Sequence, residues 1–177
     1  MRKIIFLTLR QALLAVADSQ GEALVRHVDL WNNQLSYIEE EQPFDTPAVF
    51  VEFGPIDWQP LPHGAREAVV SISLHVVTDS RVGRWAEAVG RFDLLDSINA
   101  ALHGLAYGDD RGNAMDSLSI VRSTTDSDFD ELQDNVETYS AHITAAAPFP
   151  AGGRPGAPLV AQATPSLSVG FRLPAYD

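Results

Sequence analysis

The sequence predicts an α+β fold, in which an antiparallel or mixed β-sheet is flanked by two main α-helices. Apolar residues recur every three or four positions near the N-terminus and again over residues 85–105, as on the buried face of a helix. Ala68, Val70, Ile72, Leu74 and Val76 instead occupy every second position, with Ser71, Ser73 and His75 between them, as in a half-buried strand. The order helix, strands, helix, strands is typical of an α+β arrangement with an antiparallel sheet.

The composition is that of one folded domain with a tail. The chain has 177 residues, of which 45% are hydrophobic and 20% charged, and this suits a single core. We assign residues 1–147 to a single α+β domain. Residues 148–177 are predicted to be a Pro/Gly-rich linker followed by a C-terminal apolar segment.

The formal net charge is −12, and the 12 basic residues are spread along the chain. Proteins that bind phosphates need clustered Lys and Arg, so we expect no nucleic-acid binding. The negative charge indicates a soluble acidic protein. The sequence contains no cysteine, which excludes disulfides, thiol nucleophiles and cysteine-based metal sites.

The first predicted element is a helix that ends before Gly21. Its start briefly resembles a signal peptide, but Thr8, Arg10 and Gln11 interrupt the apolar run. No apolar run approaches the roughly 18 residues of a membrane span. We therefore expect no membrane association and a cytoplasmic location where the protein is made.

Three strand-like stretches follow the first helix. Residues 23–31 favour a strand, with a helical continuation as the alternative, and residues 47–53 are β-branched and aromatic between prolines and Gly54. Residues 56–64 form a turn-rich excursion. The alternation of Ala68, Val70, Ile72, Leu74 and Val76 then predicts a strand with one face on the core.

A long amphipathic helix of about six turns is predicted next, ended by Gly104 and Gly108. Its apolar positions are Trp85, Ala88, Val89, Phe92, Leu95, Ile98, Leu102 and Leu105. Residues 115–121 and 136–144 are predicted strands, joined by an acidic link around Asp126, Asp128 and Asp130.

The composition changes after Ala145, where Pro and Gly become frequent and neither helix nor sheet can be sustained. Beyond this linker, Leu167, Val169, Phe171 and Leu173 alternate as in a strand. An apolar segment on a tether is expected to be buried on its own sheet or on the edge of a neighbour's sheet.

The sequence contains no convincing catalytic or metal-binding motif. Asp126, Asp128, Asp130 and Glu137 have the spacing of a calcium loop, but Glu131 stands where such a loop needs glycine, which favours a solvated turn. His75 and His142 lie on the polar faces of predicted strands and become neighbours only if those strands pair; surface histidines are the default. Nucleophile elbows and phosphate-binding loops are also missing. We expect no catalysis, no cofactor and no metal.

Binding to other proteins remains as a candidate function. Trp31 and Trp58 lie in predicted loops or at strand ends, and Leu61 lies in an apolar turn between prolines. Aromatic residues outside the periodic core are enriched in protein interfaces, although such residues also close the ends of cores. We take Trp31, Trp58, Leu61, Val169 and Phe171 as interface candidates.

The order of these elements resembles small tail-completion (tail terminator) and head–tail joining proteins of bacteriophages and prophages. The resemblance runs from the first helix to about Ala147. It is carried by the strand over residues 47–53 with Trp58 after it, the run over residues 70–79, the helix with Leu94-Leu95-Asp96-Ser97-Ile98, and the paired strands ending at His142-Ile143. The Pro/Gly linker and the final segment are not part of it.

The resemblance implies a structural virion protein in the neck or tail, assembled in the host cytoplasm. It implies a cyclic homo-oligomer that contacts tail-tube or head–tail connector proteins. The acidic residues then acquire a role, because acidic walls repel DNA passing through a ring. Asp109, Asp110, Asp126, Asp128 and Asp130 are the lumen candidates. Two alternatives stay open: a metal- or small-molecule-binding domain or enzyme using His75 and His142, and a bacterial interaction domain unrelated to phage.

Overall fold

The computed structural model describes residues 1–33, 35, 44–79, 85–126 and 132–147, with the backbone alone for 85–88 and Asp126. Within these residues the chain forms two α-helices, one short 3₁₀ helix and a single sheet of eight strands. The helices are α1 (Arg2–Leu14) and α2 (Trp85–Leu102), and the 3₁₀ helix is Pro62–Gly64. The strands are β1 (His27–Leu30), β2 (Ala48–Phe53), β3 (Gln59–Pro60), β4 (Arg66–Asp79), β5 (Tyr107–Gly108), β6 (Ala114–Met115), β7 (Ser119–Asp126) and β8 (Leu132–Ala145).

The sheet is mixed, with the order β1-β2-β4-β8-β6-β5. β1 pairs with β2 in parallel, and every other pairing is antiparallel. β4 and β8 form its centre and pair along their full lengths, from Arg66 opposite Ala145 to Asp79 opposite Leu132. β3 pairs with the start of β4, and β7 pairs with β8 beyond β6. The predicted α+β class is confirmed.

Both helices cover one face of the sheet, and the main hydrophobic core lies between these two layers. α1 contributes Ile5, Leu9 and Leu13, whose spacing of four places them on one face of the helix. The apolar set of β4, from Ala68 to Val76, points into this core, as the alternation predicts. The predicted first helix and the predicted strand are thus confirmed.

Among the described residues, those that cover the opposite face of the sheet lie at one end of it. There a second, smaller cluster is formed by Leu35, Ala48, Phe50 and Val77, with Trp31, Phe44 and Leu132 packed against it. The other end of this face carries Ser71, Ser73, Thr138 and Ser140 and is exposed or half-buried. We call this end the open face.

The turn after β2 depends on a close approach between two backbones. Gly54 donates its N–H to the Ser71 carbonyl over 2.9 Å. A Cβ atom at this position would lie 3.3 Å from the Ser71 Cβ and 3.4 Å from its carbonyl oxygen. Glycine therefore lets the chain leave β2 while still touching β4.

The second half of the chain differs from the prediction in three details. α2 ends at Leu102, so Leu105 lies beyond it, and Val89 and Phe92 are exposed although their spacing predicts burial. The predicted strand over residues 115–121 is divided into β6 and β7, because Leu118 turns inward and its N–H donates to the Leu105 carbonyl. A short hairpin of β5 and β6 was not predicted.

Residues 148–177 lie outside the described part of the chain, so the linker and the C-terminal strand stay predictions. Neither described helix combines the length and the apolar character required to cross a lipid bilayer.

Candidate functional site

The most distinctive surface is the edge of the sheet formed by β7. One side of β7 pairs with β8, from Ser119 opposite Ser140 to Asp126 opposite Asp134. Within the described residues no strand pairs with its other side. All its described side chains, from Ser119 to Thr125, are exposed, including Ile120 and Val121. An exposed edge strand with apolar side chains is a template for pairing with another strand.

A bulge marks the apolar part of this strand. The pairing register shifts between Ile120 and Arg122, so Val121 has no partner on β8 and is 61% exposed. Bulges commonly re-aim a side chain at the edge of a sheet. Here the bulge places two successive apolar side chains at the surface.

An apolar groove of about 300 Å³ lies between β7 and α2, lined by Asn99, Ala100, His103, Ile120 and Tyr139. Its floor is fixed by the buried Tyr139, whose hydroxyl donates a hydrogen bond to Asn99 Oδ1. Burial, and then the charge of Glu137, raises the pKa of Tyr139 far above its ordinary value, so this hydroxyl stays protonated.

Two further exposed apolar side chains lie on this side of α2, separated from the groove by the exposed Asp96. Val89 and Phe92 precede Asn99 by ten and seven residues, which places all three on one side of the helix. Phe92 is 62% exposed and Val89 is 45% exposed. We call the set Val89, Phe92, Ile120 and Val121 the β7/α2 surface.

Two side-chain hydrogen bonds join β7 to β8 in addition to the backbone pairing. Ser123 Oγ donates to the buried Glu137 carboxylate over 2.6 Å, and Thr125 Oγ1 donates to Asn135 Oδ1 over 3.1 Å. Glu137 therefore lies in the middle of β8 and not in a turn, so its position does not fit a calcium-binding loop. Among the described residues, no group of three or more His, Asp and Glu side chains is arranged to hold a metal ion.

A polar cluster around the buried His75 and Asp134 lies on the opposite face of the sheet. We call it the His75 cluster, and it also includes Trp31 and Glu52. His75 Nδ1 is 2.7 Å from Asp134 Oδ2, and Nε2 is 3.4 Å from Glu52 Oε2. The Trp31 ring stacks on the imidazole with a centroid distance of 3.8 Å and an angle of 2°. A carboxylate faces each ring nitrogen. The protonated imidazole can donate a hydrogen bond to each carboxylate and so join β2, β4 and β8.

The expectation of a surface histidine is wrong for His75, which is 8% exposed. His75 has the parity of the polar face of β4, but Phe50 and Trp31 cover that face at this point. The two histidines are not neighbours although their strands pair, because His75 lies opposite Val136 and His142 opposite Val69. His142 is half exposed, with Nε2 3.3 Å from Glu67 and Nδ1 3.7 Å from Asp116.

Stability is expected to fall as the pH rises through the range in which His75 titrates. Burial alone lowers the pKa of His75, but the hydrogen bonds and charges of Asp134 and Glu52 together raise it above the ordinary value of 6.5. The folded state thus binds more protons than the unfolded state above pH 6.5, and its stabilisation is lost as pH rises through the folded-state pKa.

Urea denaturation at several pH values from 6 upward measures this dependence. We expect the free energy of unfolding to decrease with pH in the wild type and to lose this component in His75→Gln. His142→Gln, on the open face, serves as the matched control and should keep the wild-type slope. An identical slope in His75→Gln would show that another group carries the pH dependence.

The two tryptophans among the interface candidates both pack against the rest of the domain. Trp31 is half-buried against the second cluster and stacked on His75. Trp58 packs on the main core, and the Arg66 guanidinium lies 4.7 Å from its ring centroid. Leu61 is half-buried beside the β3–β4 turn. Val169 and Phe171 lie outside the described residues.

The acidic candidates have different environments. Asp109 organises the β5–β6 hairpin, because its carboxylate accepts hydrogen bonds from the backbone N–H groups of Arg111 and Asn113 and from the Tyr107 hydroxyl. Partial burial alone raises its pKa, but these hydrogen bonds and that of the Asn113 side chain lower it below the ordinary value. Asp110 is exposed in the same turn, and the Asp126 backbone ends β7. Asp128 and Asp130 lie outside the described residues.

The β7/α2 surface was not among the sequence-based candidates. One signal was present: α2 has apolar residues on more sides than one buried face requires, with Leu94 and Leu95 buried and Val89 and Phe92 exposed. For β7 no local signal was available, because Ile120 and Val121 have the composition of an ordinary half-buried strand.

Comparison with solved structures gives a distant likeness to a chain of a structure described as "Virion of native gene transfer agent (GTA) particle". The TM-score is 0.47 and the sequence identity is 16%, with 80% of this chain and 95% of that chain covered. No model of a protein family matches the chain, and no curated protein matches it.

Proposed function

We propose that this chain is a non-enzymatic structural protein that associates with copies of itself into a ring, in a phage-type virion at the tail end or head–tail junction. The observation that carries the proposal is the β7/α2 surface, where β7 exposes apolar side chains and no described strand pairs with its outer edge. The place in a virion rests on the resemblance of the element order to tail-completion and head–tail joining proteins.

The energetics favour covering this surface. Burying a Val, Ile or Phe side chain contributes about 1.5–3 kcal/mol relative to leaving it exposed. Four such side chains are exposed on β7 and α2, and an edge strand adds main-chain hydrogen bonds to a partner. The second contribution is specific to a protein partner that presents a strand.

The proposed association is head-to-tail. β7 contacts a different element of the next copy, so the interface is heterologous, and such an interface closes into a ring when its rotation divides a full turn. The net charge of −12 suits a lumen that DNA passes through, because acidic walls repel phosphate. Asp109 and Asp110 are then candidates for that wall in the β5–β6 turn.

The non-catalytic part of the proposal is supported by His75. A general base must offer a free nitrogen to its substrate, whereas both ring nitrogens of His75 face carboxylates and Trp31 covers the ring. The His75 cluster is accordingly assigned a structural role, joining β2, β4 and β8.

Particle imaging of the purified full chain, with light scattering over a concentration series, tests the proposal. We expect closed rings of one fixed stoichiometry, formed at high concentration or on addition of tail-tube or connector proteins. A chain that stays monomeric throughout and also fails to associate with those proteins would contradict it. A symmetric dimer that grows no further would contradict the ring.

A further inference from the structure

We infer that the partner of the β7/α2 surface is the C-terminal segment, residues 167–173, of a neighbouring copy, added as a strand along the free edge of β7. This inference rests on the proposed function and deepens it, because it names the element that crosses between subunits. The shape of the surface, the alternation of apolar and polar residues in the segment and the length of the tether support it.

The two surfaces are complementary in pattern. In the segment, Leu167, Val169, Phe171 and Leu173 alternate with Ser168, Gly170 and Arg172. Successive side chains of a strand point to opposite faces, so a strand added to β7 presents one apolar row and one polar row.

The sheet at β7 also has two different sides. On the helix side lies the apolar groove with Ile120, and Phe92 lies on the same side of α2 as groove-lining Asn99. On the other side lies the open face, where Arg122 and Thr124 are exposed. The apolar row of the segment therefore covers the groove, while its polar row continues the open face.

The tether is long enough to reach another subunit. β8 ends at Ala145, and about 20 residues separate it from the segment, which span at most about 60–70 Å when extended. Return to β7 of the same subunit needs only about 20–40 Å, since the strands rise by about 3.4 Å per residue and lie about 5 Å apart.

The composition of the tether allows this reach. It contains Pro148, Pro150, Pro155, Pro158 and Pro165, which favour extended backbone, and Gly152, Gly153 and Gly156, which make it flexible. A domain of this size is about 40 Å across, so the extended tether can reach a neighbouring subunit as well as its own β7. Crossing to the neighbour follows from the proposed ring, because a head-to-tail ring needs an element of one copy that contacts the next.

Charge substitution in the segment is the first test. In the full chain, Val169→Asp combined with Phe171→Asp places two carboxylates in the apolar row. We expect the dissociation constant of the oligomer to rise at least about 100-fold, with an unchanged thermal midpoint of the monomer. Ser166→Asp combined with Ser168→Asp adds the same charge to the polar row and is the matched control, expected to associate nearly as the wild type does.

Cysteine pairing is the second test, and it separates exchange between copies from return to the same copy. The wild type contains no cysteine, so every disulfide is an introduced one. We expect the double variant Thr124→Cys with Ser168→Cys to form a ladder of covalent multimers on oxidation. Arg122→Cys with Ser168→Cys tests the adjacent position, and the single variants are the controls.

Two results would overturn the inference. Oxidation that links the cysteines only within one chain would assign the segment to its own β7. Unchanged association of the Val169→Asp, Phe171→Asp variant would remove the segment from the interface. Failure of the proposed function is distinguishable, because then the wild-type chain itself does not associate at any concentration.

Discussion

Phe92→Lys and Val121→Lys, made together, are expected to abolish self-association of the full chain. Each places a charged amine at the centre of the β7/α2 surface, where a partner strand would have to bury it. Central apolar positions of an interface typically cost about 2 kcal/mol or more when truncated, and a buried unpaired charge costs more. We expect the dissociation constant to rise by at least about 1000-fold, measured by analytical ultracentrifugation.

The fold itself should tolerate these changes, since both side chains are exposed in the single subunit and exposed substitutions usually change stability by less than about 0.5 kcal/mol. Val69→Lys is the matched control: Val69 is 62% exposed, as Phe92 is, but it lies on the open face beside His142. Association that survives the double substitution, or that Val69→Lys weakens equally, would place the interface elsewhere.

Asp134→Ala is expected to give the largest loss of stability among substitutions outside the apolar core. Asp134 is 3% exposed and holds His75 Nδ1 at 2.7 Å. Removing one partner of a buried ion pair leaves the other without compensation and costs about 3–5 kcal/mol. We expect a value near the lower limit, about 3 kcal/mol, because Asp134 Oδ1 is itself buried without a hydrogen bond to another described residue, and its removal recovers part of that cost.

Glu52→Ala is the control for this prediction. Its carboxylate is half exposed and lies 3.4 Å from His75 Nε2, so its loss should cost about 1 kcal/mol or less. A double-mutant cycle of Asp134 with His75, measured by urea denaturation at pH 6, isolates their coupling. Equal losses for Asp134→Ala and Glu52→Ala would show that the buried contact is not the dominant one.

The local pattern of the sequence was sufficient for most elements but not for their arrangement. The apolar residues at every second position from Ala68 to Val76 predict β4, because alternate side chains of a strand point to the same face. The place of β8 between β4 and β7, and the parallel pairing of β1 with β2, depend on contacts between residues distant in the chain. No local pattern encodes them.

The same distinction explains which site residues were missed. His75 occupies a position on the polar side of its strand and is buried because Phe50 of β2 and Trp31, which follows β1, cover it. Phe92 has the spacing of a core residue and is exposed because the layer under α2 is filled by Leu94, Leu95, Ile98 and Leu102. Burial here is a property of the assembled layers and cannot be obtained from one segment.

Amide hydrogen exchange of β7 as a function of protein concentration tests the central claim most directly. β4 is buried in the centre of the sheet and provides the internal reference, with slow exchange at every concentration. We predict that the amides of β7 that point away from β8 exchange fast in the dilute monomer and slowly in the assembled full chain, whereas those paired with β8 are protected in both. An assembly in which β7 exchanges as fast as in the monomer would contradict the account.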